Sequence, residues 1–234
     1  MLKQRIKEGL SNNQLKIIAM IAMVLDHAGK ELIPQAEIFS IIGRLAFPVF
    51  SYMIAEGCTY TKNKKKYFLQ IFLLGLICQA VYFIAMGSMY QNVLITFSLS
   101  VLIIFCADTF IRKKEIMSGI CLFTVIALTV FLCFFMPSLV KGFKIDYGFF
   151  GVLLPVVVYF MPTKSTRIIG MTVCLIFLAL SLGGVQWYSL FVIPLILLYN
   201  GRRGRLNLKY LFYIFYPAHL AVIYLIGLII DKIK

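Results

Sequence analysis

The sequence predicts an all-α polytopic transmembrane bundle of about nine helices, most near the length a bilayer requires. Three observations predict it. The 234 residues are 62% hydrophobic and only 14% charged, with a mean hydropathy of +0.94, whereas soluble domains are nearer half apolar and a quarter charged. Long apolar runs follow one another so closely that no soluble domain of even roughly 50 residues fits between them, so residues 1–234 are expected to form a single integral-membrane domain. Basic residues gather in alternate connections, as the positive-inside rule requires of a chain that crosses repeatedly.

That rule also accounts for the formal net charge of +14, from 23 Lys and Arg against 9 Asp and Glu. In a soluble protein such an excess suggests nucleic acid. Here it is assigned to membrane topology, and membrane lipids rather than nucleic acid are the expected surroundings.

Taken in order, residues 1–14 are polar and basic, with Lys3, Arg5 and Lys7, and Ser11, Asn12 and Asn13 are placed to cap the helix that follows. The apolar runs cover 14–29, 38–60, 66–88, 93–111, 116–136, 147–161, 166–182, 186–200 and 209–230. The first run follows a basic segment, but it ends in Asp-His with no small-residue cleavage site, so it is expected to persist as a helix and not to be removed as a signal peptide. The sixth and eighth runs are shorter, about 15 residues, and contain Pro155 and Pro194, which leaves tilted, re-entrant or broken segments open for both.

One set of connections collects Lys3, Arg5, Lys7, Lys62, Lys64, Lys65, Lys66, Arg112, Lys113, Lys114, Lys164, Arg167, Arg202, Arg203, Arg205 and Lys209. The other holds Lys30, Lys141, Lys144, Lys232 and Lys234, partly offset by Glu31, Glu37, Asp146 and Asp231. The amino terminus is therefore expected in the cytoplasm and the carboxyl terminus outside, with the chain in the plasma membrane.

Most remaining polar groups fit packing roles. All six cysteines fall in apolar segments with no CxxC spacing, so they are read as packing residues and not as a redox or metal site. Gln79, Asn92, Thr96, Ser98 and Gln186 are read as interhelical glue in preference to a cavity lining, and Asp108 is placed to pair with Arg112 four residues on. Met20 and Met23 are read as packing, GRRGR at 201–205 lacks the strand and motif of a phosphate loop, and no zinc-type His/Cys spacing suggests a metal.

The exception is in the first run, LKIIAMIAMVLDHAG at 15–29. An Asp at the centre of a membrane helix costs roughly 2.5–3.5 kcal/mol on insertion scales, so Asp26 beside His27 is a functional hypothesis by default. With the expected topology both lie about 7 Å to the external side of the midplane, and Arg44 of the second run falls at about the same depth. Adjacent helical residues point about 100° apart, so the two face different neighbours. Asp26, above the small residues Ala22 and Ala19, is expected to face a packed partner, for which Arg44 is the candidate. His27, on the stripe of Met23, Met20 and Lys16, is expected to face a cavity. His219 sits two residues after Pro217 in the last run; packing and function are both open for it. The bland alternative is that Asp26 and Arg44 lock two helices together while His27 is a neutral, hydrogen-bonded bystander.

The segment 15–29, IIGRLAFPVFSYMIAEG at 41–57, KNKKKY at 62–67, QNVLITFSLSV at 91–101, DYGFFGVLLP at 146–155 and KYLFYIFYPAHLAVIYLI at 209–226 together resemble the TraX family across nearly the whole chain. That family is named for a conjugation protein implicated in acetylating the amino terminus of pilin, and it is similar to larger membrane acyltransferases whose first helix also carries a histidine. In those relatives a basic residue stands eleven positions before the histidine, which matches Lys16 and His27.

The resemblance implies acetyl-CoA as the acyl donor, entering from the cytoplasm, and a hydroxyl or amine acceptor at the membrane or external face: a protein amino terminus, a glycan or a lipid-linked molecule. It gives His27 the role of base, Asp26 an orienting role, Arg44 stabilisation of the oxyanion or the donor, and Lys16, Arg44 and His219 contact with the donor. Two rival functions remain: a proton-coupled transporter or flippase using Asp26, His27, Arg44, Glu56 and His219, and a noncatalytic membrane scaffold.

Overall fold

A computed structural model describes residues 9–33, 35–204 and 209–233. Lys3, Arg5, Lys7, Arg205 and Lys234 of the expected charge pattern lie outside the described residues. The chain is all-α apart from one two-residue strand pair, and it divides into two compact units, residues 1–53 with 179–234, and residues 54–178.

The first unit begins with helix α1, Asn12–Leu32. Its start follows from sequence: the Ser11 hydroxyl accepts the Gln14 backbone N–H at 3.4 Å, and the Gln14 side-chain oxygen accepts the Ser11 N–H at 2.8 Å. This reciprocal box satisfies two donors that a helix start leaves orphaned. Beside it, Leu10 and Tyr199 form an isolated parallel bridge, with Leu10 N–H donating to Leu198 O at 2.7 Å and Asn200 N–H to Leu10 O at 2.9 Å.

The second run is not one uninterrupted helix. It folds as α2, Glu37–Gly43, and α3, Ala46–Tyr60, with a turn at Arg44 and Leu45; α3 belongs to the first unit as far as Met53 and to the second from Ile54. Pro48 is the cause on chemical grounds: it has no N–H to donate to the carbonyl four residues back, that of Arg44, so the ladder is interrupted there. The rest of the first unit comprises a 3₁₀-helix, Gly184–Phe191, a short α-helix, Val192–Leu197, and the final helix, Lys209–Ile233. The eighth apolar run is thus broken, one of the outcomes its proline left open.

The second unit holds α4, Lys64–Met86, α5, Val93–Lys113, α6, Ile116–Val130, a π-helical turn over Phe131–Phe135, α7, Met136–Leu139, α8, Gly148–Phe160, and most of α9, Lys164–Leu182. Pro137 lacks the donor that would close the preceding turn, which accounts for the widened π-turn before it. Ile95, Leu99, Ile103, Val125, Ile145 and Val152 form its buried core.

Here the polar residues act as the glue the sequence suggested. Thr96 Oγ1 donates to Asp146 O at 2.7 Å, and Asn92 Nδ2 to Gly75 O at 2.9 Å and to Gln79 Oε1 at 3.3 Å, whereas Ser98 Oγ donates to Leu94 O of its own helix at 2.7 Å. Asp108 pairs with Arg112, as its spacing predicts, and also with Lys64. The cysteines are free thiols, with Cys58, Cys78 and Cys174 buried.

Among the described residues, five helical segments are long and apolar enough to cross a membrane: Glu37–Tyr60, which combines α2 and α3, Lys64–Ile84, Val93–Lys113, Ile116–Leu139 and Lys164–Leu182. Gly148–Phe160 and Gly184–Leu197 are shorter apolar helices, and Ile214–Gly227 is an apolar stretch within the final helix, Lys209–Ile233. Helix α1 has 21 residues but is diluted by Lys16, Asp26, Lys30 and Glu31. The protein is a membrane protein.

Candidate functional site

The polar residues singled out on α1 meet their partners within the first unit. Gly43 makes the approach possible: a Cβ added there would stand 2.3 Å from Asp26 Cβ and 2.7 Å from Asp26 Oδ1. With no side chain at that point, the turn carrying Arg44 lies directly against the α1 face that Ala22 and Ala19 keep low. Around it Ala22, Met23 and Ala46 form a small core, covered by Ile42, Leu45, Phe50, Phe215 and Tyr216.

Arg44 Nη2 donates to Asp26 Oδ1 at 3.0 Å and Oδ2 at 3.2 Å. Its other nitrogens are also used: Nε donates to Ser40 O at 3.3 Å and Nη1 to Gln186 Oε1 at 3.3 Å. The planar guanidinium therefore ties together α1, the end of α2 and the 3₁₀-helix, a task suited to its fixed fork of donors. Lys30 Nζ donates to Asp26 Oδ2 at 2.6 Å. One buried carboxylate between two cations leaves the cluster with a net positive charge.

His27 points another way, as the 100° step between neighbours requires. Its ring centroid is 5.3 Å from that of His219, with the planes inclined at 56°. Neither ring nitrogen of His27 hydrogen-bonds a described residue. His219 stacks on Phe215 at 4.7 Å and 7°, and its Nδ1 lies 2.8 Å from Phe215 O. A carbonyl oxygen only accepts, so Nδ1 carries the proton, and a neutral His219 keeps a lone pair on Nε2. That Nε2 is buried and has no hydrogen-bond partner.

The site residues expected from sequence divide accordingly. Asp26 and Arg44 form one contact, His27 and His219 another, and the two are joined through the neighbours Asp26 and His27. Lys16 shares α1 with His27 but stands about 16 Å along the axis, at 1.5 Å per residue, so it belongs to the other end of the helix. Glu56 is buried in the second unit. Among the described residues no group of three or more His, Cys, Asp or Glu side chains could hold a metal ion.

Sequence reasoning missed Lys30, although its place four residues after Asp26 was a usable signal. It also passed over Ser51 and Ser189, whose hydroxyls are fully buried without partners, and it classed Gln186 as glue. Only the oxygen of that amide acts as glue; its Nε2 is buried and unpartnered.

A probable fimbrial assembly protein, FimC of serogroup H1, from Dichelobacter nodosus is 26% identical over 242 residues, covering 90% of this chain and 93% of that protein. An uncharacterized protein of Rickettsia prowazekii (strain Madrid E) is 42% identical over 65 residues, 28% of this chain and 24% of its own length. No solved structure matches. The family described as TraX protein matches residues 11–227, which takes in every residue of the site, and the chain belongs to the TraX family.

Proposed function

We propose that this chain is a membrane-embedded acyltransferase that moves an acetyl group from cytoplasmic acetyl-CoA to a hydroxyl or amine acceptor at the membrane or external face. The observation that carries this reading is the contact between the tilted rings of His27 and His219 directly beside a buried, cation-rich carboxylate cluster. Attack on a thioester needs a group to take the acceptor's proton and a positive or hydrogen-bonding environment for the oxygen that becomes anionic. His27, with both ring nitrogens clear of described partners, is the base. Asp26 orients the cluster, and Arg44 supplies positive charge.

His219 offers the Nε2 lone pair to an amide N–H of the donor's pantetheine arm, and Lys16, at the expected cytoplasmic end of α1, meets its phosphates. The chain is one membrane domain of about nine crossings in the plasma membrane, amino terminus inside. The acceptor class includes a protein amino terminus, a glycan or a lipid-linked molecule. The fimbrial assembly name of the Dichelobacter nodosus relative favours a surface-fibre subunit as the first acceptor to try.

The lack of a hydrogen-bond partner for His27 among the described residues also bears on the rivals. A bystander histidine in a scaffold would be expected to have its nitrogens satisfied, and a proton-coupled carrier would move protons without consuming acetyl-CoA. Incubating labelled acetyl-CoA with the purified protein separates the three. Transfer or hydrolysis supports the enzyme, proton-coupled flux without acetyl-CoA binding supports the carrier, and neither supports the scaffold.

A further inference from the structure

Among the described residues, the buried side-chain polar atoms that lack partners are Ser51 Oγ, Gln186 Nε2, Ser189 Oγ and His219 Nε2, and all four belong to the first unit. Two come from one element, the 3₁₀-helix Gly184–Phe191. Side chains three residues apart on a 3₁₀-helix eclipse one another, so Gln186 and Ser189 share a face. Both are closed off, at 2% and 0% exposure.

The Gln186 amide has a fixed orientation. Arg44 Nη1 donates to its Oε1, and a guanidinium has no acceptor, so turning the amide over would set donor against donor. The –NH₂ is thereby held with its N–H donors unmade, on the same face as an unmade hydroxyl. A buried donor without a partner is costly, and a pair of them on one face is poor packing but a good receptor for an oxygen atom.

We propose that Gln186 Nε2–H and Ser189 Oγ–H form a two-donor oxyanion pocket for the acyl carbonyl oxygen, with Arg44 as the positioning residue that holds the amide. The inference rests on the acyltransfer reading above. The acceptor's lone pair forms a bond to the thioester carbon, and the carbonyl π pair moves onto oxygen, where both donors meet it. Collapse re-forms the carbonyl and expels the coenzyme as a thiolate, which takes the proton that the acceptor gave up to His27. No electron is gained or lost. Neutral donors suit this task because the oxygen they face is charged only in transit.

The test uses the full chain in membrane vesicles, with acetyl-CoA as probe, release of free coenzyme as the rate and equilibrium binding of acetyl-CoA as a separate readout. Gln186→Glu keeps the size and the acceptor for Arg44 but replaces the donors. It should lower kcat about 10²–10³-fold, as loss of one oxyanion donor does, with the dissociation constant of acetyl-CoA nearly unchanged. Ser189→Ala should behave alike, and Gln186→Met with Ser189→Ala should cost less than the product of the single losses.

If Gln186→Glu and Ser189→Ala both turn over near the wild-type rate, the oxyanion pocket is overturned while acyltransfer stands. Loss of binding in step with rate also overturns it, as a structural role predicts. A wild-type chain that neither transfers nor hydrolyses acetyl-CoA overturns the acyltransfer reading and the pocket with it.

Discussion

Arg44 clasps Asp26 through one guanidinium nitrogen, with Nη2 at 3.0 Å and 3.2 Å from the two carboxylate oxygens, while its other two nitrogens reach Ser40 and Gln186. The contact joins a residue inside α1 to the turn that Pro48 imposes on the second apolar run. A buried pair of this kind specifies one packing of the helices, because either partner alone is a buried charge.

Asp26→Ala should therefore destabilise the protein by about 3–5 kcal/mol, and Arg44→Ala by less, because Lys30 still pairs with Asp26. Asp26→Ala combined with Arg44→Ala should be less harmful than the sum of the two. Thermal unfolding in detergent, set up as a double-mutant cycle, measures this; strict additivity would show that the two side chains are not coupled.

Arg44→Lys is a sharper test of geometry than of charge. One ammonium cannot reproduce three divergent contacts to Asp26, Ser40 and Gln186. The substitution should preserve insertion and lower the rate of acetyl transfer at least about tenfold, a loss of roughly 1.4 kcal/mol of transition-state stabilisation. Unchanged acetyl-CoA binding and unchanged rate would remove Arg44 from the mechanism.

Gly43→Ala probes the close approach. Its Cβ would enter the space of Asp26 Cβ at 2.3 Å, and overpacking of this sort costs about 1–3 kcal/mol. The variant should lose stability and transfer together, whereas Gly87→Ala, where a Cβ meets nothing within 4 Å but the backbone has φ +62°, should lose only stability.

The helix start makes a local prediction. Ser11→Ala removes the hydroxyl half of the capping box with Gln14 and should cost about 1 kcal/mol. Hydrogen exchange should show the effect concentrated in the first turn of α1; uniform loosening of the whole unit would contradict a capping role.

Topology follows from the basic connections. Reporter fusions placed after Lys66, Lys114 and Arg167 should report the cytoplasm, and one placed after Lys144 the outside. A fusion after Lys114 that reports the external side would invert the orientation and with it the route of acetyl-CoA.

Much of this was legible in the sequence because membrane helices impose depth. Asp26 and Arg44 could be matched by counting 1.5 Å per residue along two runs of opposite direction, and Ser11 announced the start of α1. The break at Arg44 was signalled by Pro48 but hidden in a continuous apolar run. Gln186 and Ser189 were illegible for a different reason: an apolar run with a period of three looks like any other apolar run, and only the 3₁₀ geometry places them on one face. His27 and His219 were each visible as anomalies, yet nothing local joins residues so distant in the chain; their contact depends on α1 and the last helix packing around Ala22, Phe215 and Tyr216.

The central claim is that the cluster at Asp26 and His27 transfers acetyl groups, and His27→Ala tests it most directly. Membranes carrying the wild-type chain should move label from acetyl-CoA to an acid-stable product. Those carrying His27→Ala, at equal amounts of folded protein, should do so about 10²–10⁴-fold more slowly, the usual contribution of a positioned base. Near-normal transfer by His27→Ala would contradict the account.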